Sequence, residues 1–238
     1  DRAAGDNIPV NFVLADDAGN ESAAFTTAIS QASDTIDANS PTISGVTIPN
    51  SPANVGDAVP VTITAGEAGL SLVTGTVNGV GVTGFSDDGG GTYTATYTVQ
   101  EGDTDRAAGA DIPVNFVLAD AAGNNSTAFT TAISQGSDAI DANSPTIAGA
   151  IAPSVAQITD AEVGSDTFTL SIDFNETMDT SVDPTVTFPT GGEDPTTVGN
   201  TVASLQNASG SWTDNDTFVV TFDVADDDIV INDIDVRV

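Results

Sequence analysis

Lysine, histidine and cysteine are absent from all 238 residues, and the only cations are Arg2, Arg106 and Arg237. Without cysteine and histidine, thiolate and imidazole nucleophiles, bases and metal ligands are excluded, and with them a zinc site of the usual kind. Against three cations stand 35 Asp and Glu residues, for a net charge of −32. That balance repels nucleic acid and anionic membrane, which bind proteins by exchanging counterions for Lys and Arg. No apolar run approaches the roughly 20 residues that cross a bilayer as a helix. Aromatics are sparse too, with one Trp and two Tyr. With no disulfide to staple an exported chain, hard cations are the partners that so many carboxylates offer.

What is present is order. Hydrophobic residues make up 39% of the chain and alternate regularly, which a disordered acidic tail does not do. The octapeptide Ile-Asp-Ala-Asn-Ser-Pro-Thr-Ile occurs at 36–43 and again at 140–147. It belongs to a longer duplication, 1–43 against 105–147, with about 36 identities over 43 aligned positions. A period near 100 residues suits whole tandem domains rather than solenoid repeats. Asp6, Asp17 and Glu21 become Ala110, Ala121 and Asn125, so none is indispensable in both copies. Asp1 falls inside the repeat pattern, and the expectation is a piece of a longer polypeptide.

Each copy carries a hairpin. Ile8, Val10, Phe12 and Leu14 alternate, Asp-Asp-Ala-Gly-Asn turns the chain, and Phe25, Thr27 and Ile29 resume the alternation. Between the copies, Val59, Val61 and Ile63 form one inward face, and Tyr93, Ala95, Tyr97 and Val99 another. The stretch 70–85 reads as one or two strands broken at Asn78-Gly79, and 86–91 as a loop. Farther on, Phe168, Leu170, Ile172 and Phe174 alternate, as do Phe218, Val220, Phe222 and Val224, with Ile234, Val236 and Val238 beginning one more strand. About seven short strands at 8–12-residue spacing is the pattern of an immunoglobulin-like sandwich. The expected fold is all-β: tandem immunoglobulin-like antiparallel β-sandwiches joined by short acidic linkers. Three parts are expected: the second half of a module over 1–39, a complete module over 40–141, and a module of a different subtype, cut short, over 142–238.

Three motifs stand out: Asp-x-Ala-Gly-Asn at 16–20 and 120–124, the linker Asp141-Ala142-Asn143-Ser144-Pro145, and Phe174-Asn175-Glu176-Thr177-Met178-Asp179. With them the chain resembles the bacterial immunoglobulin-like extender repeats of giant RTX-type and biofilm-associated surface adhesins. The resemblance implies a non-catalytic rod segment, rigidified by calcium and exposed on a bacterial cell surface after type I secretion. Ala-Gly-Glu67 stands in the middle module where the last has Phe-Asn-Glu176.

In an immunoglobulin-type sandwich, the loop between the second and third strands and the last hairpin turn lie at the end where the chain enters. The loop before the penultimate strand lies at the exit. One joint therefore gathers Asp37 and Asn39 of the linker with Glu67, Asp120 and Asn124. The other gathers Glu101, Asp103 and Asp105 with Asp141 and Asn143, then Glu176 and Asp179. Each set offers oxygens far apart in sequence, as the six-to-eight-oxygen shell of Ca²⁺ requires. The expected partners are neighbouring modules of the same chain, with no nucleic acid and no membrane insertion.

The plainer account is that Asp, Asn and Gly are ordinary turn residues. Asp87 and Asp88 read as turn residues, and Trp212, Tyr93 and Tyr97 as core or strand-pair aromatics. Glu176 and Asp179 would make a glycosidase pair only with a cleft that nothing else in the sequence builds. Two other functional classes stay open: a module that itself grips glycan or protein, and a spacer in a secreted polysaccharide-degrading enzyme.

Overall fold

A computed structural model describes every residue except 31–34, 135, 137–138, 190–193, 199–202, 228–229 and 232–233. The chain divides into two units, Asp1–Asn143 and Ser144–Val238. Both are built of β-structure, and the only helical turn among the described residues is a 3₁₀ turn at Asp160–Glu162.

In the first unit the named strands are β1 (Ile43–Thr47), β2 (Ala53–Asn54), β3 (Ala58–Ala65), β4 (Ser71–Val77), β5 (Val80–Gly81), β6 (Thr83–Gly89), β7 (Thr92–Thr98), β8 (Val114–Ala119) and β9 (Ile140–Asp141). The strict alternation of β7 decides its role: Tyr93, Ala95 and Tyr97 are buried while the threonines between them are half-exposed. It pairs in full register with β3, Ala58 opposite Thr98 through Thr64 opposite Thr92. The resulting sheet has the order β1-β3-β7-β6, and a second sheet has the order β5-β4-β8. Val61 and Ile63 of the first sheet share one core with Val77, Phe116 and Leu118 of the second, so the two sheets face each other. Each large apolar side chain buried this way contributes about 1.5–3 kcal/mol. A short parallel pairing of β2 with β9 sets Ala53 beside Ile140.

The break at Asn78-Gly79 is a two-residue turn with φ of +54° and +84°, the left-handed pair that a tight hairpin demands. The loop expected over 86–91 is corrected: β6 continues through Gly89, with Ser86 opposite Thr94 and Asp87 opposite Tyr93. Backbone pairing with β7 outweighs the turn-like composition, because β6 is an edge strand whose polar side chains remain in water.

The second unit holds one four-stranded sheet among its described residues, β10 (Ala152–Pro153), β11 (Gly164–Asp173), β12 (Leu205–Trp212) and β13 (Thr217–Val224), in the order β10-β11-β13-β12. Phe168, Leu170 and Ile172 of β11 join Phe218, Val220, Phe222 and Val224 of β13 in its core. Phe188 packs against Phe222 at 5.8 Å between ring centroids. Its neighbour Thr187 bridges Arg237, the one pairing among the described residues for the strand expected at 234–238, whose other residues are not in a strand. Trp212 is an aromatic of the strand pair, 5.2 Å from Phe218 and 5.7 Å from Phe174, with its indole N–H donated to the Val182 carbonyl at 3.2 Å.

Candidate functional site

The linker at 37–42 lies between two loops of the first unit. At its start, Asn124 donates from Nδ2 to the Asp37 carbonyl at 3.2 Å. At its end, Gly66 donates its backbone N–H to the Thr42 carbonyl at 3.0 Å. Gly66 precedes Glu67, so one side-chain bond from Asn124 and one backbone bond from Gly66 place the 120–124 turn and the Glu67 loop on one short segment.

The 120–124 turn is built by its own side chains. Asp120 Oδ1 accepts from the N–H groups of Ala122 and Asn124, each at 2.9 Å, and Oδ2 accepts from Asn124 Nδ2 at 2.9 Å. The Asn124 amide thereby holds the Asp120 carboxyl below its ordinary value, opposed by desolvation and supported by backbone donors. Asp16 and Asn20 repeat the arrangement, with the same direction and the same first cause.

A second motif ties each linker to the start of its repeat. Asp105 Oδ1 accepts from the Ala142 N–H at 2.8 Å, and both Asp105 oxygens accept from Asn143 Nδ2 at 2.9 Å. Asp1 does the same 104 residues earlier: Oδ1 accepts from Ala38 N–H at 3.0 Å, and Oδ2 accepts from Asn39 Nδ2. Asp37 and Asp141 each cap the N–H two residues on, at Asn39 and Asn143. Asp105 was legible as a joint residue. Asp1 was missed, although the 104-residue offset marks it as the equivalent of Asp105.

The remaining expected residues are more dispersed. Asp103 caps the Gln100 N–H at 2.8 Å, and Glu101 is exposed beside it. The Glu67 side chain is exposed, and its carbonyl accepts the Tyr93 hydroxyl at 2.9 Å. In the second unit, Glu176 is half-buried with Oε1 withdrawn from solvent. Asn175 N–H donates to the Thr146 carbonyl at 2.9 Å, the counterpart of the Gly66–Thr42 bond. Asp179 Oδ1 accepts from the Ser181 hydroxyl at 2.6 Å and its N–H at 3.0 Å, and these bonds lower its carboxyl pKa.

Among the described residues, no three Asp or Glu side chains converge as a ready-made metal cage. What converges instead is mixed: the Asp37 carbonyl and the Asp120 carboxylate meet at one amide nitrogen of Asn124, from positions 83 residues apart. A hard cation would take these two oxygens only in exchange for the Asn124 amide, with backbone carbonyls and water completing its shell.

A buried polar tie also escaped the sequence. Asn78, 5% exposed, receives Arg106 Nε on Oδ1 at 2.7 Å and donates from Nδ2 to the Thr104 carbonyl at 2.6 Å. Burial raises the pKa of the adjacent Tyr97 hydroxyl, and the Asn78 hydrogen bond partly opposes that shift. The residues involved are up to 28 positions apart, and no spacing rule announces such a contact. Compared with models of known protein families and with curated protein sequences, the chain matches none.

Proposed function

We propose that this chain is a non-catalytic extender segment of a secreted or cell-surface bacterial adhesin, made of immunoglobulin-like modules whose linkers bind Ca²⁺. The three parts are 1–39, 40–141 and 142–238. The sheet orders β1-β3-β7-β6 and β5-β4-β8 support the module reading, since a four-stranded sheet facing a smaller one is the immunoglobulin plan. The observation that carries the proposal is the grip on the 37–42 linker, by Asn124 at one end and the Glu67 loop at the other.

Carboxylates on neighbouring loops of so acidic a chain repel one another, so a cation at the linker favours the ordered arrangement. Asp37, Asp120 and Asn124 are the centre of the first site, with Asn39 and Glu67 as its further oxygens. The linker at 141–145 has the same sequence and the same clamp on Asp105, and by repetition it has the same role. Extracellular calcium modules bind with Kd on the order of 10⁻⁴–10⁻³ M. At cytosolic calcium far below that range such sites are empty, which suits export of an unfolded chain.

Calorimetric titration tests the proposal. Ca²⁺ is expected to bind with heat in that range and Mg²⁺ much more weakly, with Asp120→Asn and Asn124→Ala each reducing the number of sites. No calcium binding up to 10-fold above about 10⁻³ M overturns it.

A further inference from the structure

Arg106 is the only Lys or Arg between Arg2 and Arg237. A protease whose specificity pocket ends in a carboxylate cuts after such residues. Across that span it has one bond to cut, Arg106–Ala107. Such an enzyme takes its substrate as an extended strand, with the Arg side chain in the pocket and the Arg carbonyl in the oxyanion hole.

In the folded chain those groups are engaged elsewhere. The Arg106 carbonyl accepts the Ile140 N–H at 2.9 Å, and the Arg106 N–H donates to the Ile140 carbonyl at 2.8 Å. The side chain is half-buried, with Nε donated to Asn78 Oδ1 at 2.7 Å. Asn78 is itself fixed, by Nδ2 on the Thr104 carbonyl and by its N–H on the Pro113 carbonyl. Just beyond the bond the setting reverses. Ala107, Ala108 and Gly109 are exposed, in a turn closed by the Ala110 N–H on the Ala107 carbonyl at 2.9 Å. A surface turn of small residues is where proteases ordinarily nick a fold. What withholds this bond is the seated segment at 140–143 and the tie to Asn78.

We infer that Arg106–Ala107 is a conditional processing site for a trypsin-type serine protease, closed while 140–143 is seated and open once that segment leaves. The segment has little strand pairing of its own, since β9 is two residues long beside β2. Much of its hold comes from Asp105, which takes the Ala142 N–H and the Asn143 amide, and from the Gly102 N–H on the Ala142 carbonyl at 2.8 Å. Local opening of such a segment needs less free energy than global unfolding, and cleavage follows the open population. Hydrolysis adds water across the peptide bond, leaving a carboxylate on Arg106 and an amine on Ala107. β1–β7 then lie on one fragment and β8 and β9 on the other, joined only by packing and strand pairing. In an extender, that cut severs the tether only after its linker has come loose. That consequence, unlike the site itself, rests on the proposed function.

Trypsin digestion of the full chain in excess EDTA tests the site independently of calcium binding. Mass spectrometry follows the two fragments that end at Arg106 and begin at Ala107. The parent chain is expected to be cut there many-fold more slowly than a free peptide spanning 102–111. Asn143→Ala removes the clamp donor without touching Arg106, and Asn143→Asp sets a second carboxylate against Asp105. Each is expected to speed the cut several-fold, beyond what its global stability in urea accounts for. Equal rates for the parent and the peptide would overturn the inference, because the bond would then be open in the fold. So would Asn143 variants cut no faster than the parent, or faster only in proportion to their loss of global stability.

Discussion

Asn143 donates one side-chain N–H₂ to both carboxylate oxygens of Asp105, at 2.9 Å each, and so locks the linker to the residue that opens its repeat. The neighbouring Ala142 N–H completes the clamp, and Ala142 is fully buried. Asp1 makes the same bonds to Ala38 and Asn39, but there the linker is exposed.

That difference predicts unequal mutants. Asp105→Ala leaves a buried backbone donor without its acceptor, a loss of about 1–3 kcal/mol. Asp1→Ala breaks the same bonds in water and is expected to leave stability within about 0.5 kcal/mol of the parent. Urea unfolding of the two variants side by side checks this, and equal losses would contradict it.

The paired phenylalanines give a larger contrast. Phe116→Ala opens a cavity in the core shared by the two sheets and is expected to destabilise by about 3–5 kcal/mol. Phe12→Ala, at an exposed position with the same flanking sequence, is expected to change stability by less than about 0.5 kcal/mol. Thermal melts of the two single variants measure the difference.

Two glycines test packing against backbone freedom. A Cβ at Gly210 would collide with the Phe218 ring, 2.8 Å from Cε1, and Phe218 is buried. Gly210→Ala is therefore expected to cost about 1–3 kcal/mol. Gly45, with open space around the same position and no positive φ, is expected to accept Ala without loss. Chemical denaturation separates the two outcomes.

Asp120 and Asp16 are predicted to titrate below the ordinary Asp value of about 3.9, because the Asn124 and Asn20 amides hydrogen-bond the ionised form. A depressed folded-state pKa contributes stability that is present above the unfolded value and is lost as pH falls through the folded one. The relevant window thus lies below about pH 4. NMR titration should show the Asp120 carboxyl moving up toward its ordinary value in Asn124→Ala, while Asp16 stays where it was.

Sequence pattern sufficed wherever burial alternates. Tyr93, Ala95 and Tyr97, and likewise Phe218, Val220, Phe222 and Val224, point inward as their spacing requires. It failed at the edges: β12 runs through Gln206, Asn207, Ala208, Ser209 and Gly210, exposed or half-exposed residues that carry no period-two signal. β6 was hidden by its Asp-Asp-Gly ending for the same reason, since edge strands are held by backbone bonds more than by side chains. At the linkers, the residue types were legible but their roles were not. Asp105 and Asp120 read as candidate ligands, and the sequence does not show that each also accepts hydrogen bonds from an amide near it in space. Arg106 and Asn78 gave no signal, because a contact across 28 residues follows from the fold and not from spacing.

The account rests on calcium ordering the linkers, and a melting experiment reaches that claim most directly. Each site saturated at about 100 times its Kd adds roughly 2.7 kcal/mol to the folded state. The full chain is therefore expected to melt several degrees higher in saturating Ca²⁺ than in excess EDTA, with Mg²⁺ giving little of the gain. Identical melting temperatures in the two solutions would contradict it.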